Sequence, residues 1–351
     1  MTDPAPVLPW QQGLYQQLLE LRDRLPNGII VAGPRGIGTF ELVHRFALDL
    51  LCETPLESGE ACGRCPGCRL ARAGSHPDIQ YVLSEAEALP RGLPFEPPSG
   101  ASTGRKKLYE DILIHQPRAL ADFVNLHGGR DGARVVLVYP ADRIREDAAS
   151  VFLKMLEEPP QGLVFLLVAE DLEKVLPTIR SRCRILKALP PPRQEALEWL
   201  RSKGVKEPEA ALAEAGGMPL AVFETSEARL LAPEARETLL KLLRSPSAPG
   251  WGAQVASLVG RDWALEPVSL LLERWAWDLA AVRAGLPARY FPGEAAALAQ
   301  LAPSIVREPF FKWQDELIAL RAVAGHPLNA RLTVEQILLA YGSAFVRSSR
   351  L

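Results

Sequence analysis

A doubly wound α/β fold built on a parallel sheet, followed by a long helical region, is what this sequence predicts, and three observations predict it. Short apolar runs, Ile29–Ala32, Ile79–Leu83, Ala133–Tyr139 and Leu163–Val168, alternate with stretches of helical periodicity. That is the pattern of strands covered on both faces by crossover helices. A glycine-rich segment, GPRGIGTF from Gly33 to Phe40, follows the first run directly and precedes a helical pattern. From about Leu230 onward the chain has helical periodicity throughout, as in Glu266–Leu286 and Glu308–Ala324.

At 351 residues the chain is too long for one ordinary core and suggests two or three domains. Leu14, Leu18, Leu21 and Leu25 recur at helical spacing, and Pro26-Asn27-Gly28 stops that helix before the first strand. After the glycine loop, Leu42, Val43, Phe46, Ala47, Leu50 and Leu51 mark a second helix. Residues Leu83–Lys107, rich in Pro, Gly, Ser and charge, predict an exposed excursion. Composition breaks again at Leu189-Pro190-Pro191-Pro192, and Arg193 to about Glu227 reads as a small helical unit. The expected division is therefore 1–189, 190–229 and 230–351. Five of the seven tryptophans, Trp251, Trp263, Trp275, Trp277 and Trp313, fall in the last part, where they are expected to build a core or a helix-packing interface.

The formal charge of −2 gives no broad attraction to nucleic acid, so any such contact must come from a local patch. The N-terminus lacks a basic and an apolar region of the signal-peptide kind, and no apolar run is long enough to span a bilayer. A cytoplasmic protein with no membrane partner is expected.

Four of the five cysteines, Cys52, Cys62, Cys65 and Cys68, follow the spacing C-x9-C-x2-C-x2-C. Disulfides are disfavoured in a reducing compartment. Four thiolates presented by short turns suit tetrahedral zinc, whose bonds to sulfur of about 2.3 Å need knuckles that aim several sulfurs inward. A full set of four protein ligands leaves no open position for a reactive water, so a structural zinc module at 52–68 is the expectation, with a free-thiol cluster or redox pair as the alternative. His44 and His76 flank this segment and are expected to be packing or surface groups.

The glycine loop departs from a working phosphate loop. In G-x-x-x-x-G-K-[ST] the lysine reaches the phosphates and the hydroxyl ligates Mg²⁺; here Gly33, Gly36 and Gly38 are kept, but Thr39 and Phe40 fill the last two positions. Thr39 cannot supply the charge and Phe40 cannot ligate a metal. Arg35 sits inside the loop and is not expected to replace the lysine. The strand Ala133–Tyr139 ends in Tyr139-Pro140 instead of the paired acids that would hold the metal and orient water, and Asp142 comes late enough to open the next helix instead. Two independent parts of one catalytic site are missing together, so ATP hydrolysis by this chain is not expected.

The glycine loop, the four-cysteine insertion after it, the helix end LKMLEEPP (Leu153–Pro160) and the triplet Ser181-Arg182-Cys183 together resemble the clamp-loader subunits of the bacterial replicative DNA polymerase III, which are AAA+ proteins. The segment HPLNARLTVEQILLAY near the end also looks like the last collar helices of that family, so the resemblance spans essentially the whole chain. It implies an AAA+ RecA-like domain, a small helical lid and an all-helical C-terminal collar. The missing lysine, the missing acids and the absence of an arginine in GGMPLAV (Gly216–Val222), where the family's active ATPases carry a sensor arginine, point to a subunit type that does not hydrolyse ATP. The resemblance further implies a hetero-pentameric ring with ATPase subunits of the gamma/tau type and a delta subunit, acting on a sliding clamp and primed DNA. By the same resemblance Arg182, within Ser181-Arg182-Cys183, matches an arginine finger that reaches a neighbour's ATP, with no polymerase activity in the chain itself. Two other readings stay open at the level of residues: an active AAA+ ATPase with an atypical loop, and a zinc-dependent DNA-binding repair protein.

Overall fold

A computed structural model of the chain describes residues 5–98, 108–125, 133–223, 231–246, 248–260, 263–323 and 329–345. The chain forms two compact units, divided between Trp199 and Leu200. The first contains α1 (Gln12–Glu20), β1 (Gly28–Ala32), α2 (Thr39–Leu50), α3 (Pro66–Ala73), β2 (Ile79–Leu83), α4 (Glu85–Ala88), α5 (His115–Asn125), β3 (Arg134–Tyr139), α6 (Glu146–Glu157), β4 (Leu163–Ala169), α7 (Pro177–Arg180), β5 (Arg184–Lys187) and most of α8 (Arg193–Ser202). The strands form one parallel sheet in the order β2-β3-β4-β1-β5, with Gly28 opposite Phe165 and Ile29 opposite Arg184. This is the α/β parallel-sheet fold that the sequence predicts.

The three central strands are buried along their whole length, which is why their sequences are apolar runs apart from Arg134 at the start of β3, whose guanidinium donates to the Phe123 and Val124 carbonyls of α5. Alternation divides them between two faces. Ile30, Val136, Val138, Phe165 and Leu167 pack with Leu120 and Val124 of α5 and Phe152 and Leu156 of α6, while α2 lies against β1, β3 and β4. Strand β5, Arg-Ile-Leu-Lys, is an edge strand whose burial pattern leaves only Leu186 inside. Its charges kept it from standing out as an apolar run.

Two local expectations need correction. Asp142 does not open a helix; it lies in a single 3-10 turn, Ala141–Arg143, and its carboxylate accepts the Glu170 N–H (2.8 Å) just beyond β4. Nor is the whole of Leu83–Lys107 an exposed excursion: Glu85, Glu87, Ala88 and Leu93 are buried. Residues 99–107 of that stretch, the end of the small helical unit at 224–227, Ala324 and the first three residues of HPLNARLTVEQILLAY lie outside the described residues.

The second unit is helical: α9 (Pro208–Glu214), α10 (Pro233–Arg244), α11 (Trp251–Leu258), α12 (Leu265–Arg283), α13 (Ala295–Leu301), α14 (Arg307–Val323) and α15 (Ala330–Ser343). Trp251, Trp263, Trp275 and Trp313 are buried in its core, whereas Trp277 is exposed. The Trp275 indole donates to the Tyr341 hydroxyl (3.0 Å), which donates to the Leu243 carbonyl (2.8 Å), so Trp275 and Tyr341 keep their polar ends bonded. Among the described residues no helix is long and apolar enough to cross a membrane.

Candidate functional site

Three places in the first unit bring together the residues singled out by the sequence. The first is the crevice at the carboxyl ends of the parallel strands, where ligands bind in open α/β sheets. The glycine loop runs between β1 and α2, with Gly36 and Gly38 both at φ of 83°, a conformation that suits glycine. Gly33 must also be glycine for space: a Cβ there would stand 2.6 Å from the Ala188 carbonyl oxygen after β5. The loop is held from outside by the N-terminal segment. The Trp10 indole donates to the Ile37 carbonyl (2.9 Å), and the buried Gln11 amide donates to the carbonyls of Ile37 (2.9 Å) and Gly38 (2.7 Å).

Inside the crevice the positions that serve phosphate and metal in a working loop hold other groups. Thr39, at the lysine position, is buried and its hydroxyl has no hydrogen-bond partner among the described residues. Phe40, at the metal-ligating position, packs between the Arg91 guanidinium, 4.6 Å from the ring centre, and the rings of Tyr139 (5.2 Å) and His44 (5.7 Å). Tyr139 ends β3 where an acid would stand, and its hydroxyl donates to Glu170 (2.8 Å). Arg35 pairs with Glu87 (2.7 Å) and Glu170 (3.3 Å), and Arg91 pairs with the other oxygen of Glu87 (2.5 Å) and with Glu41 (3.6 Å). Burial, with the Arg91 charge adding to it, pulls the His44 imidazole down to about 4. Sequence reasoning missed Glu87, Arg91 and Glu170. Only Glu170 left a signal, as the first acid after the β4 run.

The second place is the cysteine cluster. Cys52 follows α2, Cys62 and Cys65 lie on the connecting turns, and Cys68 lies in the first turn of α3, so two knuckles face one another. All four sulfurs lie within 4.8 Å of one another. Backbone N–H groups point at them: Cys62 N–H to Cys52 Sγ (3.3 Å), Cys65 N–H to Cys62 Sγ (3.4 Å) and Cys68 N–H to Cys65 Sγ (3.3 Å). The Thr54 hydroxyl and the backbone amides of Arg64 and Cys65 pull the Cys62 thiol down to about 5, while burial pushes Cys52 and Cys68 up. Four sulfurs at this separation, bonded by amides that favour thiolate, fit a tetrahedral zinc ion. The module is tied to the sheet domain by Arg22, which donates to the carbonyls of Asp49 (2.8 Å), Gly59 (2.7 Å) and Cys52 (3.3 Å). Buried Asp49 adds to this, accepting from the Tyr15 hydroxyl (2.5 Å) and the Ala61 N–H (2.8 Å).

The third place is the turn between α7 and β5. Arg182 is about one-third exposed and donates to the Thr178 carbonyl (2.9 Å), to Ser181 Oγ (3.2 Å) and to the Glu157 carboxylate at the end of α6. A carboxylate is disfavoured at a helix C-terminus, and the guanidinium offsets this. Cys183 turns the other way, into the core against β1, and burial pushes its thiol up to about 12. It stands apart from the four clustered sulfurs.

Comparison with known proteins places this arrangement. A family model described as DNA polymerase III, delta subunit, matches residues 11–192. The DNA polymerase III subunit delta' of Pseudomonas aeruginosa is 36% identical over 271 residues, covering 74% of this chain and 75% of that protein. The chain belongs to the DNA polymerase III subunit delta' family. Another member of the family, from Escherichia coli K12, is 31% identical over 259 residues, covering 71% of this chain and 70% of its own length. Among solved structures, a gamma subunit-related protein of DNA polymerase III from Thermotoga maritima aligns over 95% of this chain and 99% of that one, at 15% identity and a TM-score of 0.48. The family match runs through all three places described above, from the N-terminal clamp on the glycine loop to the segment after β5.

Proposed function

We propose that this chain is the non-hydrolysing subunit of a DNA polymerase III clamp loader: a scaffold that helps ATP-dependent opening of a sliding clamp and its placement on primed DNA, and that lends Arg182 to the ATP site of a neighbouring ATPase subunit. The observation that carries the reading is the occupied crevice. Arg35 is committed to Glu87 and Glu170, and Phe40, Tyr139 and Arg91 pack where metal chemistry would be done. Chemistry in this chain's own crevice is thereby disfavoured, while Arg182 presents a guanidinium at the surface on a short, well-braced turn. A guanidinium fork suits the charge spread over the oxygens of a transferring phosphoryl group.

In this reading the partners are ATPase subunits of the gamma/tau type and a delta subunit in a five-membered ring, with the second, helical unit contributing the collar from about residue 230 and residues 190–229 forming the lid. Cys52, Cys62, Cys65 and Cys68 hold a structural zinc. The ion would supply four bonds that lock the two knuckles.

The test is the clamp- and DNA-stimulated ATPase of the reconstituted complex carrying Arg182→Ala. Loss of an arginine finger costs about 10³- to 10⁵-fold at the site it serves, so turnover at the adjoining subunit should collapse while the complex still assembles. An assembled Arg182→Ala complex with unchanged stimulated ATPase overturns the finger role.

A further inference from the structure

The missing lysine does not by itself account for the chemistry of the crevice. Backbone amides at a glycine loop and a helix N-terminus attract anions without any lysine, and α2 is a full 12-residue helix beginning at the loop. The loop and the start of α2 keep the backbone geometry of such a site, with Gly36 and Gly38 both at φ of 83°, and the Thr39 hydroxyl at the first position of α2 is buried and unpartnered among the described residues. What has changed is the charge around it. Among the described residues, ion pairs join three arginines, Arg35, Arg91 and Arg143, to four glutamates, Glu41, Glu87, Glu110 and Glu170. Buried Asp142 adds a fifth carboxyl group beside Glu170. Glu87 is the most enclosed of these glutamates, with a side chain 5% exposed, and it bridges Arg35 to Arg91. Arg35 is the cation that the loop itself carries, and it pairs with carboxylates contributed from outside the loop, by α4 and by the residue after β4.

We propose that Glu87 and Glu170 are the specificity-determining residues of this crevice: tethered anions that take the counter-charge a polyphosphate would need, and so exclude nucleotides from a seat whose backbone is otherwise intact. The carboxylates act in two ways. They neutralise Arg35 and Arg91 at contact distance, and among the described residues they leave the crevice with more acids than bases, which repels an approaching polyanion. Their sequence positions, one on a short helix after β2 and one just after β4, deliver them from two different segments to the same cation.

The inference deepens the reading of this chain as a non-hydrolysing subunit and rests on it. Its test uses the isolated full chain, so its failure is separable from that of the Arg182 experiment, which needs the assembled complex. The chain is titrated calorimetrically at low salt with inorganic pyrophosphate and with ATP, as wild type, Glu87→Gln, and Glu87→Gln/Glu170→Gln. Glutamine keeps the size and one of the two acceptor oxygens while removing the charge. The expected result is pyrophosphate binding by the double variant at least about tenfold tighter than wild type, the scale set by removing repulsive charges at contact distance in a half-buried site. Raising the salt should weaken that gain, and adding Arg35→Ala should abolish it. Binding by the double variant no tighter than wild type overturns the proposal, as does wild-type binding of equal strength or a gain that survives Arg35→Ala. If the double variant does not melt as a folded protein, Glu87→Gln alone decides: a gain supports the proposal and no gain overturns it.

Discussion

Replacing Gly28 by alanine tests whether the turn carrying Arg182 is seated beneath the first strand. Gly28 opens β1 and pairs with Phe165 of β4. A Cβ at this position would stand 2.7 Å from Cys183 Sγ and 3.1 Å from Leu156 Cδ2. Neither neighbour can move freely, because Leu156 is 2% exposed and Cys183 packs against the same core. Such overpacking costs about 1–3 kcal/mol. Cys183→Ala removes the sulfur and leaves a small void, costing on the order of 1 kcal/mol. In the double variant the new methyl group enters the space that the sulfur vacated, so the two costs should fall short of their sum by about 1–2 kcal/mol. The first unit is about 200 residues long, and for that size each kcal/mol moves the melting temperature by roughly 2–4 °C. Gly28→Ala should therefore lower the first unit's transition by about 2–12 °C, and adding Cys183→Ala should restore part of it. Scanning calorimetry is the suitable assay because a chain with two compact units is not expected to melt in one step. Additivity of the two substitutions to within about 0.5 kcal/mol would refute the contact, and with it the idea that Cys183 anchors the arginine beside it.

Two further outcomes follow from the first unit. The purified chain should carry about one zinc ion per molecule by elemental analysis, and Cys68→Ser should release it and expose residues 52–68 to proteolysis; zinc content unaffected by the substitution rules out the site. Acid should weaken the fold through His44. Its folded value of about 4 lies below the ordinary 6.5, so between those pH values the unfolded chain binds the extra proton, and stability falls as pH drops from 6.5 towards 4. The slope is about 1.4 kcal/mol per pH unit at most, so wild type should lose about 1–2 kcal/mol more than His44→Gln between pH 6.5 and 5 in urea titrations, and parallel losses would show that His44 is not buried neutral.

The sheet was legible wherever strands are buried on both faces, because such strands are built almost wholly from apolar side chains and appear as apolar runs, Arg134 of β3 being buried with carbonyl partners from α5. Strand β5 was not, since an edge strand needs only one inward residue, Leu186, and its neighbours Arg184 and Lys187 are free to be charged. The tryptophans show the same geometry in a helix. Trp275 and Trp277 are two positions apart, hence on nearly opposite sides of α12, and one is buried while the other is 55% exposed. The cysteine cluster was legible because its members are close in sequence and the knuckle turns that join them are short. The carboxylates of the crevice were not. Glu87 reaches Arg35 across 52 positions and Glu170 across 135, and a charged residue in a polar stretch such as Leu83–Lys107 gives no sign that a distant arginine will bury it.

The absence of a lysine after the glycine loop and of an acidic pair at the end of β3 is visible in the linear sequence because those positions belong to contiguous motifs. What occupies the crevice is assembled from separate segments: Phe40 from the loop, Tyr139 from the end of β3, Glu170 from just after β4, and Glu87 and Arg91 from around α4. A crevice that had only lost its catalytic groups would be left with unsatisfied cations and empty space, both costly at the centre of a sheet domain. Here Arg35 is paired, the aromatic rings pack, and the Gln11 and Trp10 side chains fasten the loop's outer carbonyls. The same contacts also keep β1, α2 and β4 in fixed relation. The Arg182 turn is braced against that frame through the contact of Cys183 with Gly28. Filling the crevice and seating the Arg182 turn thus draw on the same packed core, in which Gly28 of β1, Leu156 of α6 and Cys183 meet.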